Sequence, residues 1–272
     1  AHSSKAPRLN GRGAFFVQTM RMMSPRLEFA LNVAWDAAKS TLAHFQTGAT
    51  IDWKHDDSPV TVADREAEAI IRRGIAQRYP GETVLGEEEG LTGASDDRWV
   101  IDPIDGTKSF ISGVPLYSTL LSYEVAGEPV LGVCILPALG QAVWAERGAG
   151  AYWDGVPIRV REQGELNRAV LACGGHRSLL GQGRMEGFLD LVPQVLATRT
   201  WGDAYGHAMV AAGRIDAMID PVVARWDISA MAVIVREAGG LFTDFEGNEE
   251  LADEAISASP DLHRHILEAF RA

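Results

Sequence analysis

Three features of this 272-residue chain predict a protein of the α/β class. Two helical periodicities open it, short apolar runs of strand character fill its middle, and strand-like runs alternating with helical ones close it. A hydrophobic content of 46% is enough for a substantial core and compatible with two modest domains. Residues 23–154 therefore read as an N-terminal α+β domain and residues 155–272 as a C-terminal α/β domain. Residues 1–22 read as an extension or appended remnant, expected to be disordered.

Ser24 is a good N-cap and Pro25 suits the first helical position. Leu27, Leu31, Ala34, Ala38, Leu42 and Phe45 then recur at helical spacing to about Gln46. The stretch from Trp53 to Pro59 reads as loop. A second helix follows Asp64 through Ala67, Ile70, Ile71 and Ile75 and stops before Pro80-Gly81. Strands are expected at Arg98 to Ile101, Tyr117 to Val125, Val130 to Leu136 and Gln141 to Glu146. Gly148 to Gly155 marks a turn-rich boundary. Beyond it, strands near Val170 to Cys173 and Ala217 to Ile219 alternate with helices over Ala204 to Ala212 and from Asp227 to Gly239-Gly240.

The formal net charge of -12 argues against nucleic-acid or anionic-membrane binding through bulk charge. An acidic whole still admits a phosphate substrate, because bound metal reverses the field inside a site. No apolar run approaches the ~20 residues of a membrane span. Cys134 and Cys173 lie far apart in apolar runs, which suits buried thiols in a cytoplasmic protein. Residues 1–22 carry Lys5, Arg8, Arg12 and Arg21 and no acid. Phe15-Phe16-Val17 is too short for a signal-peptide core of ~7 to 15 residues, and Met20, Met22 or Met23 reads as a native start.

The most informative segment is Trp99-Val100-Ile101-Asp102-Pro103-Ile104-Asp105-Gly106-Thr107. Pro103 has no backbone donor and should end the strand, fixing Asp102 and Asp105 on a stiff turn. Two anions so close repel unless a cation lies between them, and hard oxygen ligands favour magnesium or manganese. A simple Pro-Asp-Gly type turn is the alternative. Val84-Leu85-Gly86-Glu87-Glu88-Glu89 places further carboxylates at a strand end, or a solvated acidic loop. Asp227 precedes a long apolar helical pattern, as a metal ligand or as its cap.

Together these segments resemble the inositol-monophosphatase superfamily of magnesium-dependent phosphomonoesterases, from about Ser24 to the C-terminus. The resemblance rests on Ser58-Pro59-Val60-Thr61-Val62-Ala63-Asp64, Gly86-Glu87-Glu88, Asp102 to Thr107, and Trp226-Asp227, in that order. It implies an α-β-α-β-α sandwich, usually a homodimer, with Glu87, Asp102, Asp105 and Asp227 as side-chain metal ligands and Ile104 offering its carbonyl. One Mg2+ would be held by Glu87, Asp102 and Ile104, and another by Asp102, Asp105 and Asp227. A third, weaker ion would bind near Glu87, with Mn2+ a possible substitute. Thr107 and Glu87 would orient the attacking water, an Asp64–Thr107 pair would relay its proton, and backbone donors at Gly106 and Thr107 would cradle the phosphate. Asp64 as a helix cap and Thr107 as a turn stabiliser are the structural alternatives, and Lys54 is either near a metal or on the surface.

Thr107-Lys108-Ser109-Phe110, with Gly113-Val114-Pro115, looks like the histidinol-phosphate phosphatase branch of that superfamily. So does Trp201-Gly202-Asp203-Ala204-Tyr205-Gly206-His207, and Asp220 falls where the family places an acidic substrate contact. The resemblance therefore implies histidinol phosphate as the substrate, in histidine biosynthesis, with Gly202, Asp203 and Asp220 among its contacts. Its ammonium and imidazole would pair with Asp203 and Asp220, although Asp203 also reads as a helix N-cap. Tyr205 could form an aromatic wall for the imidazole. His207, Arg225 and the Gly174-Gly175-His176-Arg177 turn are weaker candidates for the pocket. Inositol or sugar phosphates are the competing substrates, followed by adenosine bisphosphate, where Ser109 departs from the usual Glu. A non-catalytic homologue would have lost a ligand, and every ligand position is intact.

Overall fold

The structure is a computed structural model that describes residues 23–47, 51–53, 59–162 and 164–271. The expectations for residues 1–22, Lys54 and Ser58 lie outside the described residues. Helix α1 (Pro25–Leu42) begins as its cap predicts, with Ser24 Oγ accepting from Leu27 N at 3.1 Å. It ends four residues before Gln46, and Leu42 is exposed. Ser40 and Thr41 turn their hydroxyls back onto the carbonyls of Ala37 and Ala38, a competitor to continued helix. Phe45 leaves the axis to pack on Phe110 and Tyr117.

Strands β1 (Ile51–Trp53) and β2 (Pro59–Thr61) form a small antiparallel pair, so Trp53 is strand rather than loop. Helix α2 (Val62–Arg78) starts ahead of Asp64, which occupies its third position. The cause is a capping box: Thr61 Oγ1 accepts from Ala63 N, and Asp64 Oδ2 accepts from Thr61 N at 2.7 Å.

Strands β3 (Thr83–Gly86), β4 (Gly90–Thr92) and β5 (Arg98–Asp105) follow, then the short helix α3 (Thr107–Ile111). Strands β6 (Ser118–Val125), β7 (Glu128–Leu136), β8 (Gln141–Glu146), β9 (Gly150–Trp153) and β10 (Val156–Ile158) complete an eight-stranded sheet in the order β10-β9-β8-β7-β6-β5-β3-β4. All neighbours are antiparallel except β3 and β5. The turn at Asp154-Gly155, both at positive φ, sends β10 back along β9.

The remaining chain supplies β11 (Val170–Cys173), α4 (His176–Gly181), α5 (Met185–Leu191), β12 (Ala197–Arg199), α6 (Asp203–Ala211), β13 (Ala217–Asp220), α7 (Arg225–Glu237), β14 (Leu241–Thr243), β15 (Ala255–Ala258) and α8 (Pro260–Ala269). Its five strands order as β12-β11-β13-β15-β14, parallel across the first three and antiparallel beyond.

The middle strands read as unbroken apolar runs because both faces of the large sheet are covered. On β7, Leu131, Val133 and Ile135 pack with α1 and α2, whereas Cys134 and Leu136 pack with Met231 and Ile234 of α7. Leu171, Ile219 and Ile256 of the second sheet meet α4, α5 and α8, and Ala172 and Met218 meet α6 on its other face. The order of layers is therefore α-β-α-β-α, with α6 and α7 between the sheets.

Helix α7 sits so close to β7 that a Cβ on Gly132 would overlap the Ala230 carbonyl and come 2.7 Å from Val233 Cγ1. Gly132→Ala should cost about 1–3 kcal/mol through overpacking. Chemical denaturation checks this, and an unchanged midpoint would contradict the packing.

Candidate metal-centred active site

The site begins where β3 and β5 end side by side. Their parallel register pairs Gly86 with Ile101, and Glu87 N donates to Ile101 O at 3.2 Å, bringing the next residue, Glu87, alongside Asp102. In a regular strand Asp102 and Asp105 would face opposite sides, being an odd number of positions apart. The β5–β6 register shifts between them, so the ladder is interrupted at Pro103 and resumes at the Asp105–Ser118 pair. Pro103 thus makes an irregularity within the strand and does not end it. Thr119 Oγ1 supports the distortion by donating to Pro103 O at 2.9 Å.

Asp227 comes from the first turn of α7, with Oδ2 accepting from Ala224 N at 2.7 Å. Oxygen atoms of Asp102, Asp105 and Asp227 lie within 4.8 Å of one another. Asp102 and Asp105 are buried, and Asp102 Oδ1 has no hydrogen-bond partner among the described residues. Asp105 Oδ2 accepts from Ser118 Oγ at 2.7 Å and from Ala204 N at 2.9 Å.

Burial pushes the Asp102 and Asp105 carboxyls well above the usual range, and neighbouring anions push them further: Glu87, Asp105 and Asp227 at Asp102, and Asp203 and Asp227 at Asp105. Burial also lifts Asp227 to about 6, against the opposing Ala224 N–H. Three crowded carboxylates, an orphaned buried oxygen and an all-oxygen donor set fit a hard divalent cation.

Thr107 Oγ1 donates to Ile104 O at 3.0 Å, while Asp64 Oδ2 also accepts from Thr61 Oγ1 at 2.7 Å. No hydrogen bond joins Asp64 to Thr107 among the described residues, because each closes a local turn instead. Burial raises the Asp64 carboxyl, with Thr61 opposing and the Glu87 charge adding to the rise.

A cavity of about 580 Å3 opens beside this cluster, lined by Glu87, Asp105, Asp227, Asp203, Asp220 and Lys108, with Gly106, Thr107 and Gly202 also in its wall. Asp203 is not the cap of α6: Gly202 holds that position, and Asp203 opens the helix at φ 58°. Asp220 ends β13 and is only 9% exposed. Glycines make room for both acids. A Cβ on Gly106 would come 2.9 Å from Asp203 Oδ2, and one on Gly174 would come 2.7 Å from Asp220 Oδ1. Burial raises both carboxyls, with Asp203 and Asp227 adding to the rise at Asp220, while the Lys108 ammonium pulls both down.

His207, Gly174, Gly175 and Arg177 also line the cavity. Arg225 instead donates to Glu124 at 2.7 Å, and Tyr205 packs against the core around α7. Sequence reasoning assigned no role to Lys108 or Ser118. Lys108 lies in the Thr107-Lys108-Ser109-Phe110 motif, whereas Ser118 shows its purpose only through the β5–β6 register.

Clustered acids that could hold a metal ion, beside a cavity, are the arrangement that metal-assisted hydrolases use. The sequence profile of the inositol monophosphatase family matches residues 22–272, and the chain belongs to that family. It is a phosphoric monoester hydrolase. It is 39% identical over 251 residues to a histidinol-phosphatase of Chlorobaculum parvum, covering 91% of this chain and 97% of the relative. A fructose-1,6-bisphosphatase/inositol-1-monophosphatase of Thermotoga maritima is 36% identical over 82% of this chain and 86% of its own. The solved Thermotoga maritima IMPase superposes with a TM-score of 0.84 at 31% identity, covering 91% of this chain and 97% of that one. No helix among the described residues is long and apolar enough to cross a membrane.

Proposed function

We propose that this enzyme hydrolyses histidinol phosphate to histidinol and phosphate with two or three Mg2+ ions, as a homodimer serving histidine biosynthesis. The observation that carries the substrate is the presence of Asp203 and Asp220 in the same cavity as the metal cluster. An uncharged polyol needs no second pair of acids, whereas an ammonium and an imidazolium do. Glu87, Asp102, Asp105, Asp227 and the Ile104 carbonyl would hold the ions. Once bound, such ions neutralise phosphoryl charge and make water acidic enough to attack at neutral pH.

The chain's own groups then position the reactants. Thr107 and Glu87 would orient the attacking water, and Asp64, whose carboxyl feels the Glu87 charge, would take its proton once Thr107 releases Ile104 O. Gly106 and Thr107 present backbone donors to the phosphate at the start of α3. Lys108 favours the ionised forms of Asp203 and Asp220, the forms that attract a cationic leaving group.

Rates on histidinol phosphate, inositol 1-phosphate and adenosine bisphosphate, each with and without Mg2+, test the proposal. Much faster turnover of inositol phosphate would replace it with the second reading, which the name of the Thermotoga maritima relative favours.

Protons should compete with the ions. Raised carboxyls favour the protonated form in the fold, so their stabilisation is present at low pH and lost as pH rises through about 6 for Asp227. Mg2+ displaces those protons, so the Mg2+-induced rise in Tm should be larger near pH 8 than near pH 5.5. His207, buried and lowered to about 3, works oppositely, losing stability as pH falls below its unfolded value. It is common to samples with and without Mg2+ and cancels. Scanning calorimetry giving equal Mg2+ shifts at both pH values would contradict the scheme.

A further inference from the structure

The helix that carries Asp64 also grips the loop that carries Glu87. Glu68, one turn beyond Asp64 on α2, is fully buried. Its Oε2 accepts from Glu88 N at 2.8 Å and its Oε1 from Glu89 N at 3.1 Å. Arg72, one turn further on, donates from Nε to Glu68 Oε1 at 2.7 Å, from Nη2 to Gly90 O at 2.6 Å, and from Nη1 to Thr92 Oγ1 at 3.1 Å. The pair therefore engages every residue from Glu88 to Gly90, while Glu87 N is already tied to Ile101 O on β5.

Gly86 makes this approach possible. A Cβ there would come 2.6 Å from Glu68 Cδ and 2.8 Å from Arg72 Nη2. An ion pair that served only to stabilise α2 would have no need to point its carboxylate at a neighbouring loop's N–H groups. Burial of a carboxylate is tolerated here because its oxygens are satisfied by that loop and by Arg72.

We infer that Glu68, backed by Arg72, is a positioning residue that aims Glu87 at the divalent cation and so sets the protein's affinity for it. The pair does not touch the cavity, so it acts on how tightly the cation is held and not on the reaction that follows. Partners of this kind, one shell beyond the ligands, typically tune metal affinity by 10–100-fold.

The inference rests on the proposed metal site, and the test separates the two. Purified wild-type protein is first titrated with MgCl2 by calorimetry without substrate. No binding there sinks the metal site itself. Glu68→Ala, Glu68→Gln and Gly86→Ala are then titrated in the same way, and the Mg2+ dependence of phosphate release is measured for each. In Glu68→Ala and Gly86→Ala the half-saturating Mg2+ should rise on the order of tenfold, with the rate at saturating Mg2+ within about twofold of wild type. Glu68→Gln keeps an acceptor for Glu88 N and should fall between. A lower Tm with unchanged Mg2+ affinity would reduce Glu68 to a structural ion pair and overturn the inference. A collapsed saturated rate at unchanged affinity would overturn it too. Should Glu68→Ala fail to fold, Gly86→Ala and Glu68→Gln decide, since one leaves Glu68 itself in place and the other keeps its shape.

Discussion

Asp105→Asn is expected to lower phosphate release by about a thousandfold or more, while making the protein stripped of Mg2+ more stable than the stripped wild type. The two effects have one origin. Asp105 is buried beside Asp203 and Asp227, and its carboxyl is raised well above the usual range by burial and by those charges. An amide removes one of the repelling anions. Its oxygen can still accept from Ser118 Oγ and Ala204 N, which now contact Oδ2 at 2.7 and 2.9 Å, so the local geometry is kept. At the proposed metal site, the same change would deprive the cations of an anionic ligand. Loss of one stabilising group of lesser charge already costs about 10²–10³ in rate, so a ligand should cost at least the upper end. The stripped variant should melt several degrees higher, by about 1 kcal/mol or more, and gain little from added Mg2+. Near-normal turnover would remove Asp105 from the metal site. A stripped variant that melts lower than wild type would mean that the acids are not in electrostatic conflict.

That conflict was legible in the sequence only in part. Glu87, Asp102, Asp105 and Asp227 could be picked out because each follows or precedes an apolar run that fixes its place. Their convergence could not be read from spacing. Asp102 and Asp105 share a side only because the β5–β6 register slips at Pro103, and a slip is a property of two strands, not one. Asp227 reaches them because α7 packs on the large sheet against Gly132, although in sequence it lies between β13 and β14 of the second sheet. The layered architecture was implied by resemblance, and its alternating faces then explain the unbroken apolar runs.

Local competition also defeated some expectations. Hydroxyls at Ser40 and Thr41 compete for carbonyls in the last turn of α1, and the capping box starts α2 before Asp64. Glu68 shows no signal in a single sequence beyond a Glu–Arg pair at helical spacing, which describes many solvated helices. Only its burial against the Glu87 loop reveals a different purpose.

Asp203→Asn should cut kcat/KM for histidinol phosphate by about 30-fold or more, within the range for truncating one partner of a buried charge pair. Turnover of inositol 1-phosphate should change by about threefold or less. Asparagine is the informative replacement because Asp203 sits at φ 58°, a conformation that Asn adopts and most residues resist. Alanine there would mix backbone strain with charge loss. The amide keeps the shape beside Gly106, where a Cβ would approach Asp203 Oδ2 to 2.9 Å, so the phosphate end of the cavity should be undisturbed. Removing the charge also removes one cause of the raised Asp105 and Asp220 carboxyls, which should ease ionisation of both. Metal affinity should therefore hold or improve while selectivity falls. Equal losses on both substrates would return Asp203 to a backbone role at the start of α6, and Asp220 alone would then have to account for any preference for a cationic leaving group.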